Sequence, residues 1–362
     1  MKPNRKTIVA LILLIFCVGI KWFSTDTNRV EDIYSTRFFP AFAAFLRKSL
    51  NGLEISIGDI LYGCLVAWLI YKTGRILFFS INKRETGAWK LKLTKNIYTI
   101  FIFLCGLYIV FNLFWGINYN RKGIALQLGL AELKYSREEL QEMNCLLILK
   151  MNAAKQNLLK SNSIYPGKKE LFKGVVNAFE QAEKKYPFLQ YKNPSIKSSL
   201  WGWFGNYAGF TGYYNPFTGE AQVNTTVPKF LQPFTSCHEV AHQLGHAKEM
   251  EANFVGYLAA SSSSDPLFNY SVYLELFTYA NRNLFMTDSL SAKLYRKELI
   301  TPIKADIKAW ALFNKKHRSV LEPIVRWGYG IFLQSNEQPQ GILSYDEVTG
   351  FIIAYYKKFG KI

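Results

Sequence analysis

The stretch "CHEVAHQLGHAKEMEANFVGYLA", Cys237 to Ala259, holds three of the four histidines in a chain of 362 residues. His238 and His242 are four residues apart, so on a helix they stand on one face, one turn above each other, close enough to share a metal ion. Glu239 falls about 100° around the helix from His238, beside that site and not in it. In this HExxH order two neutral imidazoles bind Zn²⁺ and the glutamate accepts a proton from water, whose pKa the metal brings down towards about 7. The plain alternative is a surface helix with a fortuitous pattern. Cys237 reads as a packed thiol, since nothing beside it in the chain makes it a nucleophile.

A catalytic zinc site takes a third protein ligand and leaves one position open. His246, Glu249 and Glu251 are all within reach of the first two histidines. Gly245, three residues past His242, is where a helix can end in a left-handed turn, so that the chain doubles back and a second helix begins near Ala247. That geometry favours a ligand beyond the turn. On such a helix Glu249 and Glu251 point about 200° apart, so one of them at most faces the metal. His246 reads more simply as a polar residue near a helix C-terminus, where a cation is favoured.

With HExxH followed by Glu249, Ala252 and Asn253, the sequence resembles the gluzincin branch of zinc metallopeptidases. In that branch the third ligand is a glutamate opening a Glu-x-x-x-Asp or Glu-x-x-Ala-Asp/Asn run on the helix after HExxH. The resemblance implies Glu249 as ligand, with Glu251 as the alternative, and Asn253, one turn on, as the partner that orients a histidine ring. Asn253 stands where Asp is more usual. Only six residues separate His242 from Glu249, far fewer than in thermolysin-like enzymes. The early glycine is similar to the turn of metzincins, but their third histidine would fall on Lys248, which excludes that subclass. Three apolar N-terminal segments, "SIGDIL" opening the second, "FWGINYNR" closing the third, and the HExAHQxGxxxExEANFxxYL core also resemble a family of bacterial membrane proteins of uncharacterised function. That similarity covers nearly the whole chain and supplies no substrate.

The elements that must position these residues divide the chain in two. Residues 1–120 read as a membrane domain with three transmembrane helices at about 7–23, 55–79 and 96–118, the last free of charge and long enough to cross a hydrocarbon core of about 30 Å. "MKPNRK" ahead of the first segment has the look of a signal peptide, but no small-x-small cleavage site follows, so it reads as a retained anchor. Lys2, Arg5 and Lys6, and the loop bearing Lys83, Arg84, Lys90, Lys92 and Lys95, belong on the cytoplasmic side. Everything after the third span then lies on the periplasmic or extracellular side of the inner membrane.

Residues 121–362 read as a mainly helical (α+β) zincin-like domain. Ser136 and Glu139 form a capping box ahead of an amphipathic run, and "YYNPFTGEAQVN" reads as a β-hairpin turning at Asn215 to Gly219, the core of a small antiparallel sheet. The strand before an HExxH helix commonly lends its edge to an extended substrate, which here implicates Ala221, Gln222, Val223 and Asn224. Tyr329 or Tyr345 could supply an electrophilic donor.

The formal charge of +18 divides evenly between residues 1–120 and the remainder, with no long basic run and no base-stacking motif, which argues against a nucleic-acid partner. A transporter needs ionisable groups within its spans, and Asp59 alone qualifies. Two readings remain: a membrane-anchored zinc metallopeptidase or amidase acting on peptide or protein, and a non-catalytic zinc-binding membrane protein. Retention of Glu239 favours the enzyme, because a structural zinc has no use for that acid.

Overall fold

The computed structural model describes residues 5–82, 89–130, 133–161 and 165–362. Three long apolar helices dominate the N-terminal third: α1 (Arg5–Ser24), α3 (Ile57–Asn82) and α4 (Trp89–Phe114), with the shorter α2 (Phe39–Leu50) between the first two. α1 lies along α4, where Cys17 Sγ is 3.8 Å from the carbonyl oxygen of Cys105. These helices present bare hydrocarbon to their surroundings, including Ile15, Phe16, Val18, Ile70 and Ile100.

Where three spans were expected, one helix among the described residues, α1, is by itself long and apolar enough to cross a membrane. Asp59, Lys72 and Arg75 interrupt the apolar run of α3, and the described side chains of α4 leave the shorter stretch Tyr98–Phe114. Lys2 and the basic loop side chains from Lys83 to Lys95 lie outside the described residues. Asp59 does not face lipid. It is buried at the head of α3, where it accepts hydrogen bonds from the Leu200 amide (2.7 Å) and the Tyr213 hydroxyl.

The remainder is mostly helical. The Ser136 capping box forms at the start of α5 (Arg137–Lys160), and α6 (Lys168–Glu183) follows. Then come β1 (Ile196–Ser198), α7 (Gly202–Ala208), β2 (Gly212–Asn215), β3 (Glu220–Val223), α8 (Gln232–Gln243), α9 (Glu249–Ser262) and α10 (Pro266–Thr287). The chain closes with α11 (Ser289–Lys297), α12 (Thr301–Lys316), α13 (Leu321–Ser335) and α14 (Val348–Phe359).

The hairpin turns as its sequence suggests, with Gly219 at φ +67° and its amide 2.8 Å from the Asn215 carbonyl. The sheet is nevertheless mixed and not antiparallel. β1 adds in parallel to β3, Ile196 opposite Ala221, giving the order β1-β3-β2. A three-residue strand is too short for its alternation to announce it.

α8 is buried on every face, so it carries no amphipathic stripe, and α9 is nearly so. Both sit in a core with Phe179, Tyr191, Leu258 and Phe351. A second core joins Ile20, Val30, Tyr34, Phe39, Trp115, Ile117 and Tyr119 to Ala247, in the turn between α8 and α9. The expected boundary at residues 120 and 121 therefore runs through packed side chains. Polar links cross it too: Glu31 pairs at 2.7 Å with Arg121, which in turn donates to the Gly245 carbonyl on its own side, and Arg47 donates to the Gln243 carbonyl. Buried Glu220, on β3, accepts from the Gly58 amide at 2.6 Å and the Ile57 amide at 3.2 Å, holding a carboxylate against the positive end of α3.

Candidate metal centre

α8 ends because Gly245 takes φ +90°, a conformation a side chain disfavours. The His246 amide bonds the Ala241 carbonyl and the Gly245 amide bonds the His242 carbonyl, the paired bonds of a Schellman turn. The chain doubles back and α9 starts at Glu249, whose amide donates to Gln338 Oε1 at 2.8 Å. Gly256 lets α9 lie close against α8, since a Cβ there would stand 3.2 Å from the His238 nitrogen.

This turn brings His238, His242 and Glu249 together. Their ligand atoms all lie within 4.8 Å of one another, and all three residues are buried. Nε2 of His238 is 3.2 Å and Nε2 of His242 3.5 Å from Oε2 of Glu249. The His242 ring is oriented from behind: Nδ1 lies 2.8 Å from the His246 carbonyl, which can only accept, so Nδ1 donates there and Nε2 is the atom turned to Glu249. The Trp115 indole donates to the His242 carbonyl at 3.1 Å. Asn253, one turn after Glu249, is buried close enough to His238 to act on its proton affinity.

Burial lowers the pKa of His238 against the opposing pull of Glu249. On His242 burial also works against charge, but the Glu249 carboxylate outweighs it and the pKa rises. Burial alone would raise Glu249, yet His242 and His238 hold it well below the carboxylate range. Glu239 is pushed up to about 8 by burial, with His242 opposing and Glu249 reinforcing the shift. Its Oε2 has no hydrogen-bond partner among the described residues.

The donor set fits a zinc ion. At zinc–ligand distances of about 2.0–2.1 Å, tetrahedral ligands stand about 3.3–3.4 Å apart, and the two measured separations bracket that edge. Two imidazoles and one carboxylate leave the fourth position open.

The chain matches the family described as "Protein of unknown function (DUF3810)" over residues 34–353. It belongs to that family. No curated protein and no solved structure matches it. The family match spans α8, α9 and α13, so every residue of the candidate centre lies inside it.

The two alternative ligands stand apart from the centre, and one expectation changes. Glu251 does not reach the centre: its carboxylate lies by Gly123 and feels Lys248, Arg121 and Glu31, because the helical step turns it away from Glu249. His246 contributes its carbonyl and not its ring, which packs edge-on to Phe188. Ala221, Gln222, Val223 and Asn224 cannot offer a free edge, since β3 is the middle strand and all four are buried. β2 is the strand beside the centre. Gly212 lies directly against Glu239, where a Cβ would stand 2.6 Å from Oε1.

Of the two tyrosines, Tyr329 reaches the centre, donating to Glu249 Oε1 at 2.5 Å, while the Tyr345 side chain lies outside the described residues. Trp115 and Gln338 went unread in the sequence, because each acts across more than 80 residues and no spacing marks it.

Proposed function

We propose that the chain is a membrane-anchored, zinc-dependent metallopeptidase of the gluzincin type, hydrolysing peptide or amide bonds. The observation that carries this reading is the convergence of His238 Nε2 and His242 Nε2 on Glu249 Oε2 at the separations of a tetrahedral zinc site. A zinc ion held there would supply Lewis acidity and bring the pKa of water towards neutrality. His246, through its carbonyl, and Asn253 would orient the two rings, and Tyr329 and Gln338 would fix the glutamate.

Glu239 is the general base. Its buried, unpartnered Oε2 is free to accept a proton. Substrate would lie along β2. The Asn224 amide bonds the Thr211 carbonyl, so Tyr213 and Asn215 also turn their backbone groups to β3, and those of Gly212 and Tyr214 face the other way. No strand covers that side among the described residues. An extended peptide can pair there within reach of Glu239.

The proposed topology has three spans, α1, α3 and α4, with the basic N-terminus and the basic loop between α3 and α4 inside and the metal centre on the periplasmic or extracellular side. A reporter fused after Ile362 should be active outside the cytoplasm only, and a cytoplasm-active fusion would reverse the orientation. The test of function uses the full chain in detergent, with unstructured peptides and cell-wall peptide fragments as substrates. Wild type should bind about one zinc and cleave, whereas Glu239→Gln should keep the zinc and lose roughly 10²–10⁴ in rate. A wild type that binds zinc fully and cleaves nothing would leave the non-catalytic zinc-binding protein as the reading.

A further inference from the structure

Helix α13 has two unlike faces. Tyr329 points inward to Glu249. On the opposite face Val320, at the helix cap, and Ile324, Trp327 and Ile331 fall within an arc of about 60°, and they are 82%, 63%, 71% and 45% exposed. A water-facing helix of a globular domain carries polar residues on such a face.

Both ends of α13 are tied to the same ends of the apolar helices. At its C-terminal end, Phe332 packs edge-on to Phe111 in the final turns of α4, and Glu337 pairs with Lys21 near the end of α1 at 3.6 Å. At its N-terminal end, Ser319 donates to the Tyr207 carbonyl in α7. Just before α7, Trp201 lies against Gly63 of α3 and donates its indole N–H to the Asp59 carbonyl at 3.0 Å. α13 is thus tied directly to the ends of α1 and α4 and, through α7, to the start of α3. Leu200 and Trp203, at and before the start of α7, are exposed as well. Exposed Lys315, Lys316 and Arg318 precede the stripe, and Arg326 flanks it.

We infer that α13 is an interfacial helix, seated with Val320, Ile324, Trp327 and Ile331 in the adjacent leaflet of the bilayer that α1, α3 and α4 cross. An apolar stripe with a tryptophan, edged by basic side chains, is the composition of a helix lying in the headgroup region of an anionic membrane. The inference rests on the membrane-anchored part of the proposed function and not on the zinc. Its consequence is that α13 is held by lipid on one face and by Glu249, through Tyr329, on the other. The centre then lies beside the membrane surface, which suits a peptide segment lying close to the bilayer.

The test is tryptophan quenching in the full chain, reconstituted into mixed phosphatidylcholine and phosphatidylglycerol vesicles. The signal of Trp327 is the difference between wild type and Trp327→Phe. It should be quenched severalfold more by lipids brominated on the acyl chain than by aqueous acrylamide. Ile324→Trp in the Trp327→Phe background supplies a second reporter, expected to behave alike. Trp22 in α1 and Trp68 in α3, each read through its own Phe variant, report insertion of the apolar helices. Quenching of those two by brominated lipid, with Trp327 reached by acrylamide alone, would overturn the inference and leave the anchor standing. Protection of Trp327 from both quenchers in a chain that sediments as a dimer would also overturn it, assigning the stripe to a second copy. If none of the three is reached by brominated lipid, the inference and the membrane anchor fall together, whatever the zinc content.

Discussion

The hydroxyl of Tyr329 donates a 2.5 Å hydrogen bond to Oε1 of Glu249, the oxygen turned away from the two histidines. The other oxygen faces the two histidines, and the Glu249 amide is held by Gln338. Tyr329→Phe should therefore keep the fold and weaken zinc binding by about 10–100-fold, as loss of a partner behind a metal ligand typically does. Titration against a chelator of known affinity measures this, and unchanged affinity would remove Tyr329 from the site.

Ligand identity separates by substitution. His238→Ala and His242→Ala should each lose most of the bound zinc, since two ligands cannot complete the tetrahedron. Glu249→Gln should weaken binding far more than Glu251→Gln, because Glu251 lies by Gly123 and Arg121. Metal analysis of the purified full-length variants gives the order, and the reverse order would move the centre.

Gly212→Ala is expected to act on the base without touching the ligands. Its Cβ would stand 2.6 Å from Glu239 Oε1 and 2.8 Å from Cγ, so the carboxylate or the strand must shift. A displacement near 1 Å at a reacting group can cost about 10²-fold in rate. Zinc content should stay at the wild-type level while peptide hydrolysis falls. Equal losses of both would mean that the strand and not the base had moved.

Segments before residue 121 are part of the fold around the candidate centre. Arg121 and Glu31 form a buried pair, and Arg121 also holds the Gly245 carbonyl in the turn between the ligand helices. Arg121→Ala leaves Glu31 buried without its cation, a change that costs about 3–5 kcal/mol. A fragment starting at residue 131 lacks Trp115, Tyr119 and Arg121 altogether and should show no cooperative thermal transition. A sharp transition in that fragment would show that the metal domain folds alone.

Glu275, on α10, gives a pH dependence. Burial raises its pKa to about 7, with Arg282 opposing. The native state therefore binds more protons than the unfolded chain between about pH 4.5 and 7, and stability falls as pH rises through that window. The contribution is fully present below the unfolded pKa. Glu275→Gln should remove this slope and make the chain more stable than wild type at pH 8, by about 1–3 kcal/mol. Thermal midpoints at pH 5 and pH 8 in one detergent test it, and parallel shifts in both proteins would count against it.

Much of the candidate centre was legible in the chain because its determinants are local. Two histidines at helical spacing share a face whatever surrounds them, and Gly245 marks the reversal because few other residues take its backbone angle. The Asn215 to Gly219 turn and the Ser136 cap were readable for the same reason: a few adjacent residues carry the whole signal.

What the tertiary structure decided are the relationships that span long stretches of chain. The sequence by itself determined the helices, the histidine pair and a choice between two glutamates. Only the packing of α9 on α8 turned Glu249 inward and Glu251 towards Arg121. Only the addition of β1 made β3 central and passed the free edge to β2, which sets Gly212 against Glu239. The exit from α4 supplied Trp115 to the His242 carbonyl, and the loop after α13 supplied Gln338 to Glu249. Hydrogen bonds of this kind carry no periodicity or spacing, because their partners meet only after the core has formed, and a buried polar group takes whichever partner the packing brings within reach.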